Sequence, residues 1–187
     1  MLIVGIGGTT RPGSTSELAV AAVLRAAESS GAETLHFGGT FLAGLPLYAP
    51  EDPARTPGQR ELVEAVRRAD GLVIGTPGYH GGISGLVKNA LDLLEDLRED
   101  TRPYFDGRAV GCLVTAAGWQ ACGTTLTALR SVIHAMRGWP TPLGVTLNTG
   151  GGARLFDADG SCADASTAAL LETLADQVRT FPAAPAA

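Results

Sequence analysis

Leu2-Ile3-Val4-Gly5-Ile6-Gly7-Gly8-Thr9-Thr10-Arg11-Pro12-Gly13-Ser14-Thr15-Ser16 opens the chain with an apolar run, a polar glycine-rich loop and the start of a helix. The run Leu2–Ile6 shows no polar alternation, which suits a strand covered on both faces, as in a parallel sheet. A loop at the carboxyl end of such a strand is where open α/β sheets bind ligands. This loop offers the hydroxyls of Thr9, Thr10, Ser14, Thr15 and Ser16, the guanidinium of Arg11 and a helix N-terminus. Backbone N–H groups and the helix dipole favour an anion there, so the set suits a phosphate. A P-loop would need Lys where Ser14 stands, although Gly8 and Gly13 have its glycine spacing; the fingerprint G-x-G-x-x-G fails because Thr10 takes the third glycine's place after Gly5 and Gly7. The loop therefore reads as a monophosphate site. Ser14-Thr15-Ser16-Glu17 also fits a capping box with Glu17 reaching back, but five hydroxyls and an arginine exceed what a cap needs.

The same alternation continues along the chain. Strand-like runs recur at Glu33–Phe37, Gly71–Gly75, Ala109–Val114 and Leu143–Leu147. Helical spacing of apolar residues covers Ser16–Ser30, Gln59–Arg68, Ser84–Leu97, Cys122–Arg137 and Ala165–Phe181. Five strands alternating with five helices predict an α/β three-layer sandwich: a doubly wound parallel sheet, helices on both faces, strand order 2-1-3-4-5 in the flavodoxin-like manner. Two long glycine-rich connections, Gly38–Pro57 and Asn148–Asp164, interrupt the pattern, and long loops in a small domain tend to be functional. Residues 1–181 are expected to form one domain, and Pro182–Ala187, only Ala and Pro, a disordered tail.

Composition narrows the function classes. The 187 residues suit one domain with a full core. A net charge of −5 with no basic stripe argues against a nucleic-acid partner. No apolar run approaches the roughly 20 residues of a membrane span, and the first residues lack a signal-peptide pattern, so a cytoplasmic location is expected. Cys112, Cys122 and Cys162 form no close pair, which argues against both a disulfide framework and a structural zinc. Cys122, near a loop, is weighed as a reactive thiol against simple packing. Asp157-Ala158-Asp159-Gly160 opens like a calcium loop but lacks the distal Glu, and reads as a solvated turn.

The third run ends in Gly75-Thr76-Pro77-Gly78-Tyr79-His80-Gly81-Gly82-Ile83-Ser84-Gly85-Leu86-Val87-Lys88-Asn89-Ala90-Leu91-Asp92. Such a turn presents backbone N–H groups and one aromatic, a surface suited to a flat heteroaromatic ring. This segment resembles the NAD(P)H-dependent FMN reductase family in its T-P-x-Y turn and following helix. Leu45-Pro46-Leu47-Tyr48, Thr9–Ser14, Thr115-Ala116-Ala117-Gly118-Trp119 and Arg130–Pro140 carry the same likeness, from Leu2 to about Thr149.

The resemblance implies bound FMN and a nicotinamide nucleotide. Thr9, Arg11, Ser14, Thr15 and Ser16 would hold the phosphate. Thr76, Pro77, Gly78, Tyr79, His80 and Gly81 would line the isoalloxazine, and Thr115, Ala117, Gly118 and Trp119 would close the third side. Gly78 and His80 depart from the family's usual residues around the Tyr. No single catalytic residue and no metal are expected, since the cofactor carries hydride transfer and the protein stacks and orients the rings. Family members are dimers or tetramers, with the Ser84–Leu97 helix and the Tyr79 region at an interface, and some supply reduced flavin to a monooxygenase. The alternatives are an FMN-bound reductase of quinones, azo dyes or metal oxyanions, a flavodoxin-type electron carrier without a nicotinamide site, and a non-catalytic relative. Arg11, Arg55 and Arg108 are the candidates for a nucleotide 2′-phosphate.

Overall fold

The structure, a computed structural model, describes residues 1–152 and 154–181. The tail Pro182–Ala187 lies outside the described residues.

Five parallel strands form the sheet: β1 (Leu2–Gly7), β2 (Glu33–Phe37), β3 (Gly71–Tyr79), β5 (Ala109–Ala116) and β6 (Trp139–Asn148), in the order β2-β1-β3-β5-β6. This is the expected 2-1-3-4-5 arrangement. A sixth, two-residue strand, β4 (Gly82–Ile83), turns back antiparallel onto the end of β3. Strand residues feed both faces in turn, which is why the runs read as continuously apolar. Val4, Leu72, Ile74, Val110 and Cys112 enter one core with α3 (Pro57–Arg68), α4 (Gly85–Asp92) and α5 (Trp119–Ala135). Ile3, Val73, Leu113 and Val145 enter the other with α1 (Thr15–Ser29) and α6 (Ala165–Arg179).

Several boundaries differ from the sequence reading, each for a local reason. α3 begins at Pro57, two residues early, because Thr56 and Gln59 form a capping box around a Pro at the first helical position. The expected helix to Leu97 is split: α4 stops at Asp92 and tightens into a 3-10 turn, Leu93–Leu97, whose leucines are all buried. Gly38–Pro57 holds one short helix, α2 (Gly39–Ala43), where only loop was expected. β6 starts at Trp139, before Pro140 and Pro142; it is an edge strand, where proline is tolerated, and its register shifts against β5 between Val110 and Cys112.

Asp164 caps α6, accepting hydrogen bonds from the Thr167 N–H at 2.7 Å and the Ser166 hydroxyl at 2.6 Å. These donors lower its carboxyl to about 2. A depressed carboxyl stabilises the fold above its unfolded value, near 4, and loses that contribution as pH falls towards about 2. Asp164→Asn keeps an acceptor without the titration. Its thermal midpoint should therefore fall less steeply than the wild type's between pH 4 and pH 2, a contrast scanning calorimetry would check.

Candidate functional site

The chain moves from one side of the sheet to the other at β1 and β3, and the loops leaving β1, β3 and β5 meet above that crevice. They enclose a cleft of about 290 Å³. It is lined by Thr9, Arg11, Ser14, Thr15 and Ser16 from the first loop, Pro77, Gly78 and Tyr79 from the second, and Thr115 and Ala117 from the third. Ala116 and Thr149 complete the wall. A smaller hollow of about 130 Å³ shares Thr9, Pro77 and Tyr79 and reaches Ser84 at the head of α4. The largest cavity, about 740 Å³, lies elsewhere, between α4 and α5, and shares no residue with the cleft.

The first loop is held by its own chain. The Thr9 hydroxyl accepts from the Arg11 N–H at 3.1 Å. Ser14 caps α1, accepting from the Glu17 N–H at 3.4 Å, and Ser14 and Ser16 are both almost fully buried. Glu17 does reach back, but to the Gly13 N–H, at 3.1 Å, instead of the Ser14 N–H a capping box would use. Its other oxygen accepts from the Gly39 N–H at 3.2 Å, tying the loop to the start of α2. Gly39 stands so close to Thr9 that a Cβ there would lie 1.8 Å from the Thr9 carbonyl oxygen. Arg11 is exposed and its guanidinium makes no ion pair among the described residues.

The second loop is a tight hairpin. Tyr79 pairs with Gly82 across a two-residue turn in which His80 (φ 51) and Gly81 (φ 81) both take positive φ. Two positive φ values match the hairpin turn whose twist suits the flanking strands. His80 is therefore exposed at the tip and does not line the cleft. Thr76 is fully buried: its hydroxyl accepts from the Ser84 N–H at 3.0 Å and donates to the Pro77 carbonyl at 2.9 Å, bracing the turn against α4. At Gly78 a Cβ would sit 2.7 Å from the Thr125 hydroxyl oxygen, so α5 fills the space of any side chain. This accounts for the bare position before Tyr79.

At the third loop Asn148 acts as a clasp. Its Oδ1 accepts from the Gly118 N–H and the Gly150 N–H, each at 2.9 Å. Gly118 and Trp119 lie just beyond the cleft, and Trp119 is 67% exposed. Asn148, Thr149 and Ala116 were not singled out from sequence; the sequence signal for two of them is the start of the glycine-rich connection after β6. Cys122 is buried beneath this loop, its Sγ against the Ala116 and Leu147 carbonyls, and burial pushes its thiol up, which makes it a packing residue.

Of the three arginines considered for a nucleotide phosphate, only Arg11 is at the cleft. Arg55 is held by Asp96 through bonds of 2.8 and 2.9 Å. Arg108 is fully buried and donates to main-chain carbonyls of Tyr104 and Arg67.

A family model described as NADPH-dependent FMN reductase matches residues 1–152. An FMN-dependent NADPH-azoreductase of Staphylococcus aureus is 30% identical over 122 residues, 65% of this chain and 61% of that protein. The match thus spans about three fifths of the curated relative's length. A solved apo NADH:FMN oxidoreductase superposes with a TM-score of 0.75 at 21% identity, covering 98% of this chain and 91% of the other. A flavodoxin of Streptococcus pneumoniae TIGR4 superposes with a TM-score of 0.63 at 13% identity, covering 96% and 98%. Both structural likenesses establish the flavodoxin-like fold. No helix among the described residues is long and apolar enough to cross a membrane.

Proposed function

The chain belongs to the NADPH-dependent FMN reductase family, and from that premise we propose that it is an NAD(P)H:FMN oxidoreductase. The observation that carries this reading is the one cleft uniting the Arg11 loop with the Pro77–Tyr79 turn and the end of β5.

The donor set fits FMN at both ends. The phosphate end has a helix N-terminus, clustered hydroxyls and a free guanidinium, which together recognise a phosphomonoester. The ring end has the Tyr79 side chain and the main chain of Gly78 and Ala117, with no titrating pair. Bound FMN supplies the ring that accepts a hydride from reduced nicotinamide. In this reading Thr9, Arg11, Ser14, Thr15 and Ser16 hold the phosphate. Pro77, Gly78 and Tyr79 set the ring plane, and Thr115 and Ala117 close its far side. Thr76 braces the turn, His80 and Gly81 shape it, and Gly118 and Trp119 border the mouth. The backbone N–H of Ala117 would stabilise negative charge on the reduced ring, since the Gly118 N–H is taken by Asn148.

The exposed Tyr79 and Trp119 suit the docking of a second planar ring, the nicotinamide or an acceptor. The staphylococcal relative's name favours azo compounds as a second reading of the final acceptor; a flavin-dependent monooxygenase is the alternative recipient. We place the protein in the cytoplasm, as a single domain over 1–181. It works as a homodimer or homotetramer. The broad cavity that includes Tyr48, Lys88, Leu91, Asp92, Glu95 and Arg98 supports a subunit contact at α4.

The test is oxidation of NADH and NADPH by the purified protein across a series of FMN concentrations. Rates that saturate with FMN support the proposal, and no oxidation with or without flavin sinks it in favour of an electron carrier. Arg11→Ala should weaken FMN binding by about 1.5–3 kcal/mol, the worth of a charged hydrogen-bonding partner. Fluorescence quenching of free flavin measures this, and an unchanged affinity removes Arg11 from the phosphate site.

A further inference from the structure

We propose that Glu17 sets the strength of flavin binding and keeps FMN exchangeable. The inference rests on the proposed flavin site and concerns how tightly that site holds its ligand.

A helix N-terminus attracts a phosphate because its N–H groups are unpaired and its dipole is unanswered. Here a carboxylate already occupies part of that field. Glu17 stands in the first turn of α1 and takes the Gly13 N–H, between the cleft residues Arg11 and Ser14. A donor that would otherwise serve a phosphate is thus turned to the opposite side of the loop. The carboxylate cannot swing clear without changing the fold locally. It is bonded to the Gly39 N–H as well, and a Cβ on Gly38 would come within 2.3 Å of its Oε1.

Charge points the same way. The loop from Gly8 to Glu17 carries one cation, Arg11, and one anion, Glu17, so it presents a phosphate with no net formal charge. Arg11 is exposed and screened by water and salt, whereas Glu17 is half-buried against the loop. Glu17 therefore performs two opposed tasks. It ties the loop to α2, which preorganises the site, and it repels the phosphate the site receives. Repulsion wins, because the close approach of Gly39 to the Thr9 main chain keeps the loop packed even when one Glu17 bond is weakened.

The experiment is a titration of wild type and of Glu17→Gln with FMN and, separately, with riboflavin, at low and high salt. Glutamine keeps a carbonyl oxygen for one of the two N–H groups and removes the charge. FMN should bind the variant about fivefold more tightly, in line with a charge beside a helix terminus. Riboflavin, which has no phosphate, should change by less than about twofold, and the FMN gain should shrink as salt rises. Weaker or unchanged FMN binding overturns the proposal, since anchoring would then outweigh charge. Glu17→Asp retains the charge with a shorter reach; tighter FMN binding there would also overturn it, by tracing the gain to a loosened loop. If wild type binds neither flavin, the flavin site itself fails, a result distinct from all of these.

Discussion

Gly39→Ala is expected to lose FMN binding by more than tenfold and to be less stable by about 3 kcal/mol, at the upper end of overpacking costs. The methyl group would meet main-chain atoms: the Thr9 carbonyl oxygen at 1.8 Å, its carbon at 2.7 Å and the Thr9 nitrogen at 2.8 Å. No rotamer change relieves a clash with backbone, so the whole Gly8–Arg11 turn must move. That turn carries Thr9 and Arg11 into the cleft. The shift also lengthens the bond from the Gly39 N–H to Glu17. Stability and binding should therefore fall together. Denaturant midpoints and FMN titrations on the same preparation would show it, and a variant with normal affinity would mean that the loop is not anchored at α2.

Arg108→Ala is expected to cost about 3–5 kcal/mol, as large core truncations that also strand polar partners do. Arg108 is the largest fully buried side chain. Its guanidinium donates to the carbonyls of Tyr104 and Arg67, and Arg102 adds bonds of 3.2 and 3.0 Å to Arg67 and Ala69. The Arg67 and Ala69 carbonyls lie at the end of α3 and have no further helical turn to accept from. Burial lowers the guanidinium to about 10, so its charge is a cost that the bonds to α3 offset. Removing the side chain leaves a cavity and unpaired carbonyls together. Arg108→Lys should recover little, because one ammonium cannot span two carbonyls in a fixed fork. Urea denaturation of both variants tests this; a loss under about 1 kcal/mol would show that water replaces the guanidinium.

The fold was legible because its decisive signals are local. Short uncharged runs such as Leu2–Ile6 and Gly71–Gly75 suit strands covered on both faces, and helices of the right length lie between them. The three loops of the cleft followed, since ligands bind where such strands end. What was not legible depends on distance. Glu17 meets Gly39 across 22 residues and Asn148 meets Gly118 across 30, and no spacing rule announces either contact. Arg108 reads from sequence like a surface cation, and only the packing of α3 against the turn before β5 shows it inside. Cys122 is similar: nearness to a loop suggested reactivity, while the third dimension puts it underneath.

Pro140 and Pro142 occupy alternate positions of the edge strand β6. Neither has an N–H to give to a ladder, and β6 is irregular here, its register against β5 shifting between Val110 and Cys112. A neighbouring chain that tried to add itself to this border would find no donors at those points. The sheet therefore ends at β6, protected from the end-to-end templating that turns exposed borders into fibres. Strand addition at β6 is therefore disfavoured, whereas the opposite border of the sheet, β2, carries no such prolines.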